Sequence, residues 1–145
     1  MDTLQHRLFL KFKVNNISQP GIFGPIIFQE LLEHVRFDKK TKLIDGQLHI
    51  HTAHDEGDDP EVCWHLWVED EDTGEVFDIN KIFAADKDSE FEKCEFNYYG
   101  GAVDNEPEEL WTLYKKDKKE FWKSKTIPQK IKNFRAKVFK SEWRW

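Results

Sequence analysis

Methionine occurs once and cysteine twice in these 145 residues. Two cysteines, Cys63 and Cys94, cannot form a disulfide framework, so the fold must be held by its core. No apolar run approaches the ~20 residues that a membrane span needs, so no membrane is expected among its partners. Met1 to Lys13 contains no small-residue cleavage site behind a continuous apolar stretch. No export signal is therefore expected, and a reducing, cytoplasmic location is expected with it. Repeats, low-complexity tracts and long linkers are also missing, so residues 1–145 are expected to form one domain. What the chain has in quantity is aromatic side chain, 12 Phe, 6 Trp and 3 Tyr. Each ring buries roughly 150–250 Å², enough together to build a core and to exclude wholesale disorder.

Charge is segregated. Between Asp55 and Glu109 there are 20 Asp and Glu against 3 Lys, whereas Leu113 to Arg144 carries 10 Lys and 2 Arg against 3 acids. Such halves attract each other or seek opposite partners. Nucleic acid is not the expected partner, because the acidic part would repel phosphates.

Hydrophobic spacing divides the chain. Leu8, Leu10, Phe12 and Val14 alternate as in a strand, while Leu4, Leu8 and Phe12 equally fit a helix stripe. A helix is expected over about 25–36, with Pro25 in its first turn and Ile27, Leu31 and Val35 facing a sheet. Leu43 to Thr52 and Val62 to Glu69 read as strands. Asp70 to Gly74 reads as a turn, Glu75 to Ile79 as the returning strand, and Phe91 to Tyr99 as a further strand. A helix is expected from about Pro107 to Lys123, opened by Asn105 as its cap. A second follows Thr126-Ile-Pro-Gln129, which has the spacing of a capping box. The fold class is thus α+β: an antiparallel sheet, an N-terminal helix packed on it and two C-terminal helices. A core over about 21–104 would carry a basic helical extension over about 105–145.

One constellation could carry chemistry. If residues 71–74 form the hairpin loop, Asp78 lies opposite Trp67, one diagonal step from His65 on the same face. A carboxylate on one imidazole nitrogen fixes the tautomer and leaves the other nitrogen as a base. Cys63-Trp-His-Leu-Trp-Val-Glu69, the Gly74 turn and Val76-Phe-Asp78-Ile-Asn80 resemble the transglutaminase-like division of the papain-like folds. In that family His-x-Trp-Val/Leu-Glu precedes a glycine turn and a strand ending in Asp. The resemblance spans roughly Gly21 to Asn80, includes Gly46 in the preceding strand, and implies His65 as base and Asp78 as its orienter. The nucleophile it implies is a cysteine at the start of the preceding helix, where the helix terminus lowers a thiol pKa. Gly21-Ile-Phe-Gly-Pro25 occupies that place and offers no Cys, Ser or Thr; Ser18 lies several residues early.

Three functions are therefore weighed. The first is a degenerate, non-catalytic transglutaminase-like domain that binds or builds within a larger assembly, of which a virus particle is one form. The second is an active thiol hydrolase or transferase in which Cys63 works with His65 and Asp78. Cys94 would replace Cys63 only in a circularly permuted arrangement, where the cysteine follows the histidine. The third is a small zinc hydrolase on His49, His51 and His54, since three imidazoles can hold Zn²⁺. Leu48-His-Ile-His51-Thr-Ala-His54-Asp55 resembles the His-x-His-x-Asp-His run of metallo-β-lactamase-like hydrolases, with Ala53 in the place of the Asp. His65 is a further candidate to approach that cluster. The spacing of Asp55, Glu56, Asp58 and Asp59 does not match a calcium loop. The first reading calls for no cofactor.

Its partner would be a protein, or a second copy of this chain, met by the basic aromatic C-terminus. Trp143, Arg144 and Trp145 alternate, so that both indoles can face one way. Indoles at a chain end are anchors when they find a surface. A chain ending at Lys140 is expected to fold normally but to associate more weakly in sedimentation velocity. Unchanged assembly, or loss of folding, would speak against the tail as an anchor.

Overall fold

The computed structural model describes residues 2–35, 37–51, 60–100 and 109–140. His54 and the terminal Trp143, Arg144 and Trp145 lie outside the described residues, as does Asn105. The fold is α+β. Two helices, α1 (Asp2–Val14) and α2 (Phe23–His34), precede the strands β1 (Thr41–His51), β2 (Glu61–Asp70) and β3 (Val76–Phe77). Helix α3 (Ile79–Lys87) and a 3-10 turn (Ser89–Lys93) lead to β4 (Glu95–Gly100). Helices α4 (Glu109–Lys116), α5 (Lys118–Lys123) and α6 (Gln129–Val138) close the chain. The sheet is antiparallel, in the order β3-β2-β1-β4.

Register sorts the residues onto two faces. Leu43 opposes Val68, and Asp45 opposes Leu66. Leu66 and Val68 join Phe77 in the core that the helices cover. Ile44, Gly46 and Leu48 oppose Trp67, His65 and Cys63, so these six share the other face because side chains alternate. On the helical side α2 is central. It packs on β1 and β2 and also meets α3 and α6. That explains why Gly24 to Gln29, Leu31 and Leu32 are all buried, far more than one stripe. Phe12 of α1 stacks on Phe134 of α6 at 4.2 Å, and Phe9 meets Phe83 of α3 edge-on at 4.8 Å. The C-terminal helices therefore share one core with the N-terminal ones.

Several elements differ from the sequence reading. The segment through Leu8 to Val14, which fitted a strand and a helix equally, takes the helical alternative. Gln5, Leu8, Phe9 and Phe12 are buried at helical spacing, whereas Leu10 is 46 % and Val14 81 % exposed. Helix α2 begins two residues early and leaves Val35 exposed beyond its end. The strand after Gly74 stops at Phe77, because Asp78 caps a helix that the sequence reading did not find. The following strand begins only at Glu95. The helix expected to reach Lys123 breaks at Asp117. The carboxylate there accepts from Lys119 and Glu120 backbone N–H at 3.0 and 3.2 Å and starts a new helix. Among the described residues there are thus three C-terminal helices, not two. The Thr126–Gln129 capping box does not form. Thr126 pairs with Ser124 at 2.8 Å, and α6 starts at Gln129 with no side-chain cap.

Leu31 is fully buried between the sheet and the helices. Leu31→Ala should cost about 2–5 kcal/mol in denaturant melts, the usual range for a core leucine, and a loss below ~0.5 kcal/mol would contradict that burial.

Candidate functional site

The site grows from one hairpin. Asp70 holds its turn through Oδ1, which accepts from the backbone N–H of Asp72 and Thr73 at 2.8 and 3.2 Å. Gly74 adopts a positive φ of 75° that favours glycine. The backbone N–H of Asp70 donates to Glu75 at 2.9 Å, so residues 71–74 are the loop. Val68 then opposes Phe77, and the next step places Asp78 beside Trp67. This is the register the turn demands. It brings His65 Nε2 to 2.7 Å from Asp78 Oδ2, with the side chains 17 % and 2 % exposed. An ionised carboxylate only accepts, so the proton is on Nε2 and a neutral ring keeps Nδ1 as its basic nitrogen. Among the described residues, Asp78 is the hydrogen-bond partner of that ring.

Two further groups converge on the same carboxylate. The Tyr98 hydroxyl donates to Asp78 Oδ2 at 2.9 Å, and the Asn80 backbone N–H donates to Oδ1 at 3.1 Å. Burial, then the charge of Asp78 and the bond to it, push the Tyr98 pKa well up, so this hydroxyl stays a donor. Sequence reasoning did not find Tyr98. It reaches the site because β4 lies beside β1 with Tyr98 opposite Leu48, and no local pattern reveals that register. Trp67 lies between, its ring 5.1 Å from that of Tyr98 and stacked near His65 at 6.3 Å. The Trp67 indole N–H donates to Glu69 at 3.1 Å.

A cavity of about 260 Å³ adjoins His65, walled by Gly21, Ile22, Trp64, Leu66 and Asn80. β3 covers only Val68 and Glu69, so among the described residues the edge of β2 from Glu61 to Trp67 is open there. The Asn80 amide donates to the Gly21 carbonyl at 2.8 Å and pins the chain entering α2 to the start of α3. The α2 side of this cavity therefore presents Gly21 and Ile22. Ser18 is exposed and is not among its walls.

The cysteines are placed otherwise. Cys63 shares the face of His65, two residues away, with Sγ 4.0 Å from the Leu48 carbonyl. Burial raises its thiol pKa, and the charges of Glu61 and Asp78 raise it further, the reverse of nucleophile activation. Cys94 donates to the Glu90 carbonyl at 3.4 Å and is followed by a strand, not a helix. Its neighbour Glu95 opposes His51, whereas His65 opposes Gly46. That separates Cys94 from the site by about 17 Å along the sheet.

Among the described residues, His49 and His51 share one face of β1 and His65 lies on the other face of the sheet. His49 opposes Val62, on the face opposite to His65, so His65 does not approach His49 or His51. His49 Nε2 pairs with Gln47 Oε1 at 3.0 Å. Among the described residues no group of three or more His, Cys, Asp or Glu could hold a metal ion. No helix among them is long and apolar enough to cross a membrane. Compared with protein-family models, with curated proteins and with solved structures, the chain matches none.

Gly46, opposite His65, has no room for a side chain. A methyl group there would sit 2.2 Å from the Tyr99 carbonyl oxygen and 3.0 Å from the Trp67 ring. Gly46→Ala should destabilise by about 1–3 kcal/mol or more, the cost of overpacking, and should disturb the Tyr98 environment. An unchanged melting curve with an unchanged Tyr98 ring signal would refute this close approach.

Proposed function

We propose that the chain is a non-catalytic binding or structural component of a larger assembly, built on a transglutaminase-like plan whose nucleophile is missing. One observation carries this reading: Gly21 and Ile22 stand where the cavity beside His65 meets α2. Neither offers a thiol or hydroxyl. Among the described residues that wall this cavity, the His65–Asp78 pair then positions a base with no thiol or hydroxyl to activate. A cavity with apolar walls and two polar side chains, His65 and Asn80, suits recognition of a partner's side chain. The basic, aromatic C-terminus supplies the surface for a protein partner or a second copy, with a virus particle as one such assembly. Two free thiols fit a reducing, cytoplasmic setting.

The rival is an active thiol enzyme using Cys63. Its raised pKa makes a prediction with a definite sign. The thiolate fraction at pH 7 is below that of an ordinary cysteine and grows only as pH rises past the usual thiol range. Alkylation of Cys63 by iodoacetamide should be slower than that of a free thiol at pH 7 and should accelerate steadily toward alkaline pH. No amide or peptide turnover is expected. Turnover abolished both by His65→Ala and by Cys63→Ser or Cys94→Ser would overturn the non-catalytic reading.

A further inference from the structure

A second cavity, of about 440 Å³, opens between α2, α5 and α6, away from His65. One side of it is locked. The Arg135 guanidinium donates through Nε and Nη2 to Glu30 Oε2 at 3.0 and 2.6 Å. The Trp122 indole N–H donates to Glu30 Oε1 at 3.0 Å, and the Arg135 plane lies 4.2 Å from the Trp122 ring centre. Tyr114 is held by Trp111, stacked at 5.6 Å, and by Phe121, edge-on at 5.1 Å. Two aromatic side chains of fixed position thus line the cavity. Burial and the charges of Glu30 and Glu33 raise the Tyr114 pKa, so its hydroxyl remains a proton donor.

The other side is cationic. Lys118, Lys119 and Lys123 of α5 reach the same cavity. Lys118 Nζ sits 5.4 Å from the Tyr114 ring centre, and Lys123 has only a loose 3.8 Å contact with Glu120 on its own helix. With Arg135 these make four cations against two carboxylates, Glu30 and Glu33, a surplus of two positive charges. Glu30 is already committed to Arg135 and Trp122. Arg135 spends two of its five N–H donors on it and keeps three. Cations crowded around a concave, aromatic-lined space repel one another and attract a dianion.

We propose that this cavity is a binding site for an organic phosphate: a dianionic phosphoryl group held by Lys118, Lys119 and Lys123, on a flat body that packs against Tyr114 and Trp122. The doubly negative phosphate monoester matches the charge surplus, and the aromatic walls distinguish an organic phosphate from the inorganic ion. The site is independent of the His65 cavity and of the reading given to it.

The test uses the full ¹⁵N-labelled chain titrated with phenyl phosphate, inorganic phosphate and phenol, read at the Trp122 indole N–H. Phenyl phosphate should give a saturable shift that weakens with added salt, and each half alone should bind more weakly. The exposed pair Lys119→Gln and Lys123→Gln, checked for an unchanged melting temperature, should weaken phenyl phosphate binding about tenfold, on the scale of one lost charge-assisted hydrogen bond. No saturable shift, equal binding of inorganic phosphate, or full affinity in the double variant would each overturn the proposal. Adenosine monophosphate and O-phosphotyrosine separate a nucleotide from a phosphorylated amino acid as the source. The true source must bind more tightly than phenyl phosphate, and tighter binding by neither overturns the assignment.

Discussion

The carboxylate of Asp78 is the joint on which the sheet and two of its neighbours depend. Oδ2 takes His65 of β2 and Tyr98 of β4, and Oδ1 takes the first turn of α3. Three donors satisfy a side chain that is only 2 % exposed. Satisfaction of this kind is required, because a buried charge without hydrogen bonds costs several kcal/mol. The joint also fixes directions. As the cap of α3, Asp78 ends β3 after two residues and turns the chain across the open edge of β2. Asn80, two residues on, can then bond the Gly21 carbonyl and draw the start of α2 to the same edge. The cavity beside His65 is the space these constraints enclose.

Glu30 plays a comparable part on the helical side. It sits on the central helix and gathers Arg135 from α6 and Trp122 from α5. Segregated charge in the sequence thus resolves only partly inside the molecule. Lys130 and Lys137 of α6 bond Asn16 and Asn15 beyond α1, and Lys13 pairs with Asp86. Of the three α5 lysines around the Glu30 cavity, Lys118 lies over the Tyr114 ring and Lys123 makes only the 3.8 Å contact with Glu120 on its own helix. A surplus of cations beside fixed aromatic rings favours an outside anion.

What could be read from the sequence followed the reach of each signal. The β2–β3 turn was legible because Asp70 and Gly74 obey local rules, and the loop length alone then placed Asp78 one diagonal from His65. Alternation placed Cys63, His65 and Trp67 on one face for the same reason. Helix α3 was not found although Asp78, Ile79, Ile82 and Phe83 carry its cap and its stripe; the segment read as strand ran over the cap. The strand pattern in α1 failed because Leu10 and Val14 are apolar but exposed, so alternation there had no burial behind it. Tyr98 is a case of another kind. Its place depends on β4 pairing with β1 across the 43 residues between His51 and Glu95, and nothing local encodes that.

These duties change the weight of the histidine–carboxylate pair as a sign of catalysis. In a catalytic base–orienter pair the carboxylate serves the imidazole. Here it also caps a helix and anchors a buried tyrosine from another strand. A capping side chain is commonly worth about 1 kcal/mol, and a hydrogen bond to a charged group about 1.5–3. The carboxylate would therefore be held in place by folding alone, with no reaction to serve. His65 in turn is its charge-assisted partner and lies beside Trp67, so that a replacement would leave Asp78 short of a donor. Gly21 carries a structural burden of another kind: a side chain there would meet nothing within 4 Å, but its φ of 54° favours glycine and its carbonyl accepts from the Asn80 amide. The geometry that looks most like chemistry is thus also geometry that the fold itself requires, and the pair by itself does not mark a reaction.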